Sequence, residues 1–200
     1  SSPYQVGTCA QLQNMETALY SYFVITADID CTGFDAGDGH GFRPIGTASE
    51  EFMGRVNGGE HVITGLHIDR PTQDRVGVFG AIRWAIIKDL GLVSPSIEGH
   101  DEVGAFIGRQ RWGLLERVFV RDGEVVGNTR VGAMVGLMDI GKIFVSYAQA
   151  ALTCAAWDGY SGGPPDSWTR PCGQLAGDTI DGIIQRSYAA VEAAPHFGLA

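Results

Sequence analysis

The sequence has little positive charge. Its 14 Lys and Arg stand against 23 Asp and Glu, a formal balance of −9, and the basic residues are scattered singly. Such a chain offers no electrostatic footprint for a phosphate backbone, which excludes nucleic acid as a partner. It also lacks any apolar run near the roughly 20 residues that a membrane-spanning helix needs. The opening Ser1-Ser2-Pro3-Tyr4 has neither an initiator Met nor a signal-peptide pattern and reads as a processed or trimmed start. There is no CxxC spacing to suggest zinc and no GxSxG to suggest a nucleophile elbow, and nothing in the chain implies a cofactor.

What the chain does have is glycine, 29 residues of it, beside an ordinary 8 prolines. That balance fits many tight bends between short strands better than a disordered tract. With 44% hydrophobic residues over 200 positions, one core and a single domain are expected. The four cysteines form two sequence-local pairs, Cys9 with Cys31 and Cys154 with Cys172, and two disulfides follow from that pairing unless all four thiols are free.

The decisive feature is an internal repeat. Val76-Gly77-Val78-Phe79-Gly80 recurs as Val103-Gly104-Ala105-Phe106-Ile107-Gly108 and as Val131-Gly132-Ala133-Met134-Val135-Gly136, at spacings of 27 and 28 residues. A weaker copy, Cys172 to Gly177, follows after 41 residues because an insertion at 155–171 interrupts the period. Behind each copy lies a second run of aliphatic, β-branched or aromatic residues, such as Ile86 to Leu92, Leu114 to Val120, Ile143 to Ala148 and Ile184 to Ala189. These runs have strand chemistry. Short strands at a 27-residue period, with no helix-length segment, predict an all-β, parallel β-helix of about five coils. The expected plan is a cap and lead-in strands over residues 1–50, coils over 51–193, and the insertion loop within them.

Stacking the repeats predicts an inward face carrying Leu66, Leu90, Val118, Ser146 and Ser187 together with Ile68, Leu92, Val120, Ala148 and Ala189. The column Ile63, Ile87, Leu115, Ile143 and Ile184 lies three residues earlier, so a coil corner is expected between the two. The VGxxG glycines are expected at other corners or close backbone approaches. A helix from Thr8 to about Tyr20, with Thr8 as N-cap, would cover one open end, and the segment from Ala189 to Ala200 the other.

The succession from Tyr4 to Ala193 resembles bacterial surface proteins carrying the GLUG motif. Val131 to Gly136 followed by Ser146-Tyr147-Ala148, and Cys172 to Gly177 followed by Ser187-Tyr188-Ala189, match its VGGLVG and NSYA-like elements. Cys9 to Met15, Ala27 to Asp30, Phe42 to Gly46 and Phe52 to Gly59 resemble the lead-in that precedes those repeats. The resemblance implies a right-handed, adhesin-like β-helix, secreted or at the cell surface, and carries no catalytic residues across. Cys172 in place of Val, the Pro-rich insertion and the scarcity of Asn and Thr depart from the pattern.

Candidate sites fall into four groups. Phe119, Tyr147 and Tyr188 form an aromatic column, extended by Gly91 and His67, that either packs as core or presents rings to a glycan or a surface protein. Trp157, Tyr160 and Trp168 sit in the insertion and make it the preferred recognition element. Arg83-Trp84 and Arg111-Trp112 form an Arg-Trp ladder, read first as packing between coils. Among acids, Asp28, Asp30, Asp35 and Asp38 read as turn residues before metal ligands, because an EF-hand count from Asp28 ends on Gly39 where a Glu is required. Asp89 with Glu116, and Asp101 with Glu102, are the acid-base pairs that a polysaccharide lyase or glycoside hydrolase would need, with a surface salt-bridge ladder as the simpler reading. His61, His67 and His100 with Asp69 do not align. A non-enzymatic glycan- or protein-binding solenoid is therefore expected first, and its strand edges leave homo-oligomers open.

Overall fold

A computed structural model describes residues 2–154, 172–173 and 175–190. Every strand pairing within its three sheets is parallel, and the chain is a parallel β-solenoid. The repeat is what stacks. Val76 bridges to Val103, Val103 pairs with Val131, and Val131 with Cys172, so the four copies occupy one position on successive coils. Each coil then runs through a second wall, made of Phe79–Arg83, Ile107–Arg111, Val135–Asp139 and Ala176–Ile180. A long wall completes the coil. It includes Arg55–Thr64, Ile86–Val93, Leu114–Gly127, Lys142–Phe144 and Tyr147–Cys154.

Many bends of the coil are made by residues with positive φ that are not glycine. Arg75, Glu102 and Arg130 form one such ladder, Trp84, Trp112, Ile140 and Asp181 a second, and Asp89, Arg117, Val145 and Arg186 a third. Left-handed backbone costs an L-residue about 1–2 kcal/mol, and it persists because ladder pairing on both sides of the corner leaves no other path. The third ladder is the corner expected between Ile87 and Leu90, where both side chains point inward and Asp89 turns the chain at φ 56°. The VGxxG glycines instead serve close approach. A Cβ on Gly132 would lie 2.1 Å from the Val135 carbonyl oxygen, which no side chain survives.

Inside, Val56, Ile87, Leu115 and Ile143 form one buried column, and Ile63, Leu92, Val120 and Ala148 another. The register of the earliest unit corrects the sequence reading, which placed Ile63 with Ile87 and Leu66 with Leu90. Asn57 pairs with Lys88 but His61 with Leu90, so the Gly58-Gly59-Glu60 stretch spends three residues where the next coil spends one, Asp89. That bulge moves Ile63 onto Leu92 and carries Ile68 to Ile97. Ser146 holds its place in the inward column at 3% exposure because its hydroxyl donates to the Phe144 carbonyl at 3.0 Å.

The cap is shorter than expected. An α-helix at Cys9–Gln13 continues as a 3₁₀ turn at Asn14–Thr17, short of Tyr20. Thr8 caps it, accepting from the Gln11 N–H at 3.2 Å. Leu12 and Met15 are buried over the end of the core. The cap is tied down by a disulfide between Cys9 and Cys31, and a second joins Cys154 to Cys172. An aromatic chain, Tyr4 to Phe23 to Phe52 to Phe79, runs inward from that end with centroid separations of 5.6, 6.2 and 4.9 Å.

Candidate functional site

Outward positions on the long wall alternate with the buried column. Tyr22, Arg55, Ile86 and Leu114 lie in register on one outward row, and Asn57, Lys88 and Glu116 on the next. These rows floor a groove of about 740 Å³ whose lining also includes Tyr4 and Tyr20. Tyr4, Tyr20 and Tyr22 are 59%, 74% and 42% exposed. Three phenols thus stand in water around a floor that alternates aliphatic with ionic and amide groups. Sequence reasoning missed this cluster because Tyr20 fell within the expected helix and the strand Tyr22–Ile25 was not expected, the first entry strand having been read at Ala27 to Asp30. The available signal was Tyr20-Ser21-Tyr22, two aromatics at strand spacing in a segment where only Phe23 and Ile25 are needed for the core.

The aromatic column points outward. Phe119 pairs with Gly91 and Tyr147, and Tyr147 with Tyr188, while their neighbours Val118, Val120 and Ala148 are buried. The Phe119 ring lies over Gly91, since a Cβ there would come within 2.2 Å of its Cζ. Tyr147 and Tyr188 stand 4.9 Å apart, and the Tyr147 hydroxyl lies 2.9 Å from Gln149 Oε1. His67 is not part of the column, because the same bulge hands its place to Val62 and pairs His67 with Ser96. Trp157, Tyr160 and Trp168 lie outside the described residues. Trp84 and Trp112 stack at 5.6 Å and 21°, each with its preceding Arg guanidinium 5.2–5.5 Å from the ring centroid.

No family profile matches the chain. Over 117 residues it is 36% identical to Halomucin of Haloquadratum walsbyi, and over 113 residues 34% identical to a Gly-rich membrane protein of Evansella cellulosilytica. Each match covers 54% of this chain but only 1% and 13% of those much longer proteins. Among solved structures, a candidate immunoglobulin A1 protease from Bacteroides ovatus superposes with a TM-score of 0.52 over 95% of this chain and 68% of that one. At 16% identity that likeness speaks for the solenoid fold alone.

The carboxylates singled out by sequence are engaged in holding coils together. Arg117 donates to both Asp89 oxygens at 2.6 and 3.0 Å and also contacts Glu116, so the pair forms a salt-bridge ladder. The Arg117 guanidinium holds the Asp89 carboxyl below its ordinary range. Asp101 accepts from the Thr129 N–H and the Asn128 side chain, and Glu102 is buried between Arg75 and Arg130.

Asp30, Asp35 and Asp38 act as turn acceptors, whereas Asp28 ties neighbouring coils. Asp28 takes the Val62 N–H and His61, Asp30 the Thr32 N–H, Asp35 the N–H groups of Gly37, Gly39 and Gly41, and Asp38 the Arg70 guanidinium. His61 and His100 are apart, each bound to its own Asp: Asp28 at 3.0 Å and Asp74 at 2.9 Å. Asp74, His100 and Asp101 bring ligand atoms within 4.8 Å of one another, but Asp74 and Asp101 already accept backbone N–H groups from the following coil.

Proposed function

We propose that the chain is a non-enzymatic binding solenoid that lays a carbohydrate chain into the tyrosine groove. The observation that carries the reading is the exposure of Tyr4, Tyr20 and Tyr22 around the groove floored by Arg55, Asn57, Lys88 and Glu116. Phenol rings combine apolar faces for sugar C–H groups with a hydroxyl, and the ionic and amide side chains supply orienting hydrogen bonds. Rows spaced at the strand separation of about 4.8 Å suit an extended, repetitive ligand. The column of Phe119, Tyr147 and Tyr188, and the insertion with Trp157, Tyr160 and Trp168, are proposed as additional contacts for the same polymer. An extracellular or surface setting is supported by the two disulfides, by the names of the relatives and by the resemblance to GLUG-motif surface proteins.

A glycan array run beside a reducing-sugar release assay tests the reading. Binding without turnover is expected, and Tyr20→Ala with Tyr22→Ala should each cost about 2 kcal/mol, roughly a 30-fold loss of affinity. Sugar release would replace it with a hydrolase or lyase, and binding unchanged by both substitutions would move the site elsewhere.

A further inference from the structure

The outward face of the second wall carries an unusual charge arrangement. Five of the chain's 14 basic residues, Arg75, Arg83, Arg109, Arg111 and Arg130, gather there with Glu51, Glu102, Asp139 and Asp178. Its geometry follows from the register. Ala81 and Arg109 are paired positions on neighbouring coils, so a methyl group sits where the next coil places a guanidinium. The space left by that small side chain is a cavity of about 170 Å³ lined by Ala48, Glu51, Arg75, Ala81, Arg109 and Arg111.

The three arginines are not equally engaged. Arg75 donates to Glu102 at 3.0 Å. Arg111 reaches Glu51 only at 3.5 Å and Asp139 at 3.8 Å. Arg109 comes no nearer than 3.6 Å to Asp139 and 4.0 Å to Glu102, both beyond hydrogen-bond reach. Its side chain is 27% exposed, and among the described residues its buried Nε has no hydrogen-bond partner. A guanidinium has five N–H donors in a planar fork shaped for an oxyanion, and leaving such donors unused away from water is costly.

We propose that this cavity is an oxyanion site centred on Arg109, with Arg111 and Arg75 beside it, and that it takes the sulfate ester or uronate carboxylate of an acidic glycan. Only the word glycan rests on the preceding reading; the oxyanion chemistry stands on the arginines. Glu51, itself paired with Arg83 and near Arg111, keeps the site modest, as do Glu102 and Asp139 beside the same guanidiniums and the acidity of the whole chain. A weak single site suits a polymer that presents the same group repeatedly.

Calorimetric titration of the full chain with sodium sulfate, against sodium chloride at matched ionic strength, is the first test. A saturable sulfate isotherm is expected, with at least tenfold weaker binding in Arg109→Gln. Glu51→Gln removes the carboxylate that lines the cavity and should bind sulfate several-fold tighter, a gain that misfolding cannot mimic. Tyr20→Ala should leave sulfate binding intact, which separates failure of this site from failure of the groove. A sulfated oligosaccharide and an oligouronate, each beside its neutral counterpart, then identify which source of oxyanion is preferred. Equal sulfate binding by wild type and Arg109→Gln, or an isotherm no different from chloride, would overturn the proposal.

Discussion

Gly91→Ala is a substitution whose sign should depend on one ring. Gly91 sits in the outward column between Val62 and Phe119, and its backbone does not adopt positive φ. Alanine is therefore conformationally acceptable, and by narrowing the unfolded ensemble it should stabilise by about 0.4–1 kcal/mol. Against this, the new Cβ would meet Phe119 Cζ at 2.2 Å, with Cε1 at 2.5 Å and Cε2 at 2.9 Å, so the ring must leave its place over the strand. Overpacking of this kind costs about 1–3 kcal/mol. The net effect in wild type is a loss of about 1.3 kcal/mol at the midpoints of these ranges, or roughly 3–5 °C in Tm for a chain of this size. In a Phe119→Ala background the clash is gone, and the same substitution should raise stability. Urea unfolding of the four proteins in the cycle measures the coupling, expected at about 1–3 kcal/mol. Additivity within about 0.4 kcal/mol would show that the Phe119 ring does not lie on Gly91 and would remove the outward aromatic column.

Three further outcomes are expected. Leu115→Ala empties the middle of a fully buried column between Ile87 and Ile143 and should cost about 2–5 kcal/mol in chemical denaturation. Replacing Cys154 and Cys172 together by Ser opens a link across 18 residues and should lower stability by about 3 kcal/mol, with unreduced peptide mapping confirming both bonds in wild type. The stability-pH curve should have two separable limbs. Asp89 is lowered by Arg117, so its contribution is present above the ordinary carboxylate range and fades as pH falls through its folded value; Asp89→Asn should flatten that acid limb. His100 is raised, chiefly by Asp74, so its contribution is complete below about pH 6.5 and fades as pH climbs through its folded value; His100→Gln should flatten that limb.

The repeat was legible because stacking constrains it. A position that must pair with its equivalent one coil away cannot drift freely, and Val76, Val103, Val131 and Cys172 declare the period even where the intervening residues differ. The corner between Ile87 and Leu90 was legible for the same reason, as two apolar columns three residues apart cannot share one strand face. The earliest unit was misread because Val62-Ile63-Thr64-Gly65-Leu66 looks like a repeat strand on its own. Only the pairing reveals the bulge at Gly58-Gly59-Glu60 that shifts it. Glycine content also misled in part. Many of the tight corners belong to Arg, Trp, Asp, Glu, Ile and Val residues in left-handed backbone, which composition cannot announce.

Function is harder to read because the solenoid uses its inward columns for stability and leaves its outward columns free. An outward aromatic is informative where no packing demand explains it. Trp84 and Trp112 occupy a corner ladder and stack on each other beneath their own arginines, so inter-coil packing accounts for them. Tyr20 and Tyr22 lack such an account, and Arg109 has an ionic environment without a hydrogen bond. Both exceptions lie on outward faces of walls whose inward residues are fully explained by the core. A β-solenoid can change such positions without touching its stacking. The acidic pairs follow the opposite logic. Asp89, Asp101 and Glu102 recur at corners and coil junctions because each ties one coil to the next. Each reaches a partner about one coil away, Asp89 to Arg117, Asp101 to Thr129 and Glu102 to Arg130, and that spacing is the signature of a tie rather than of a catalytic pair.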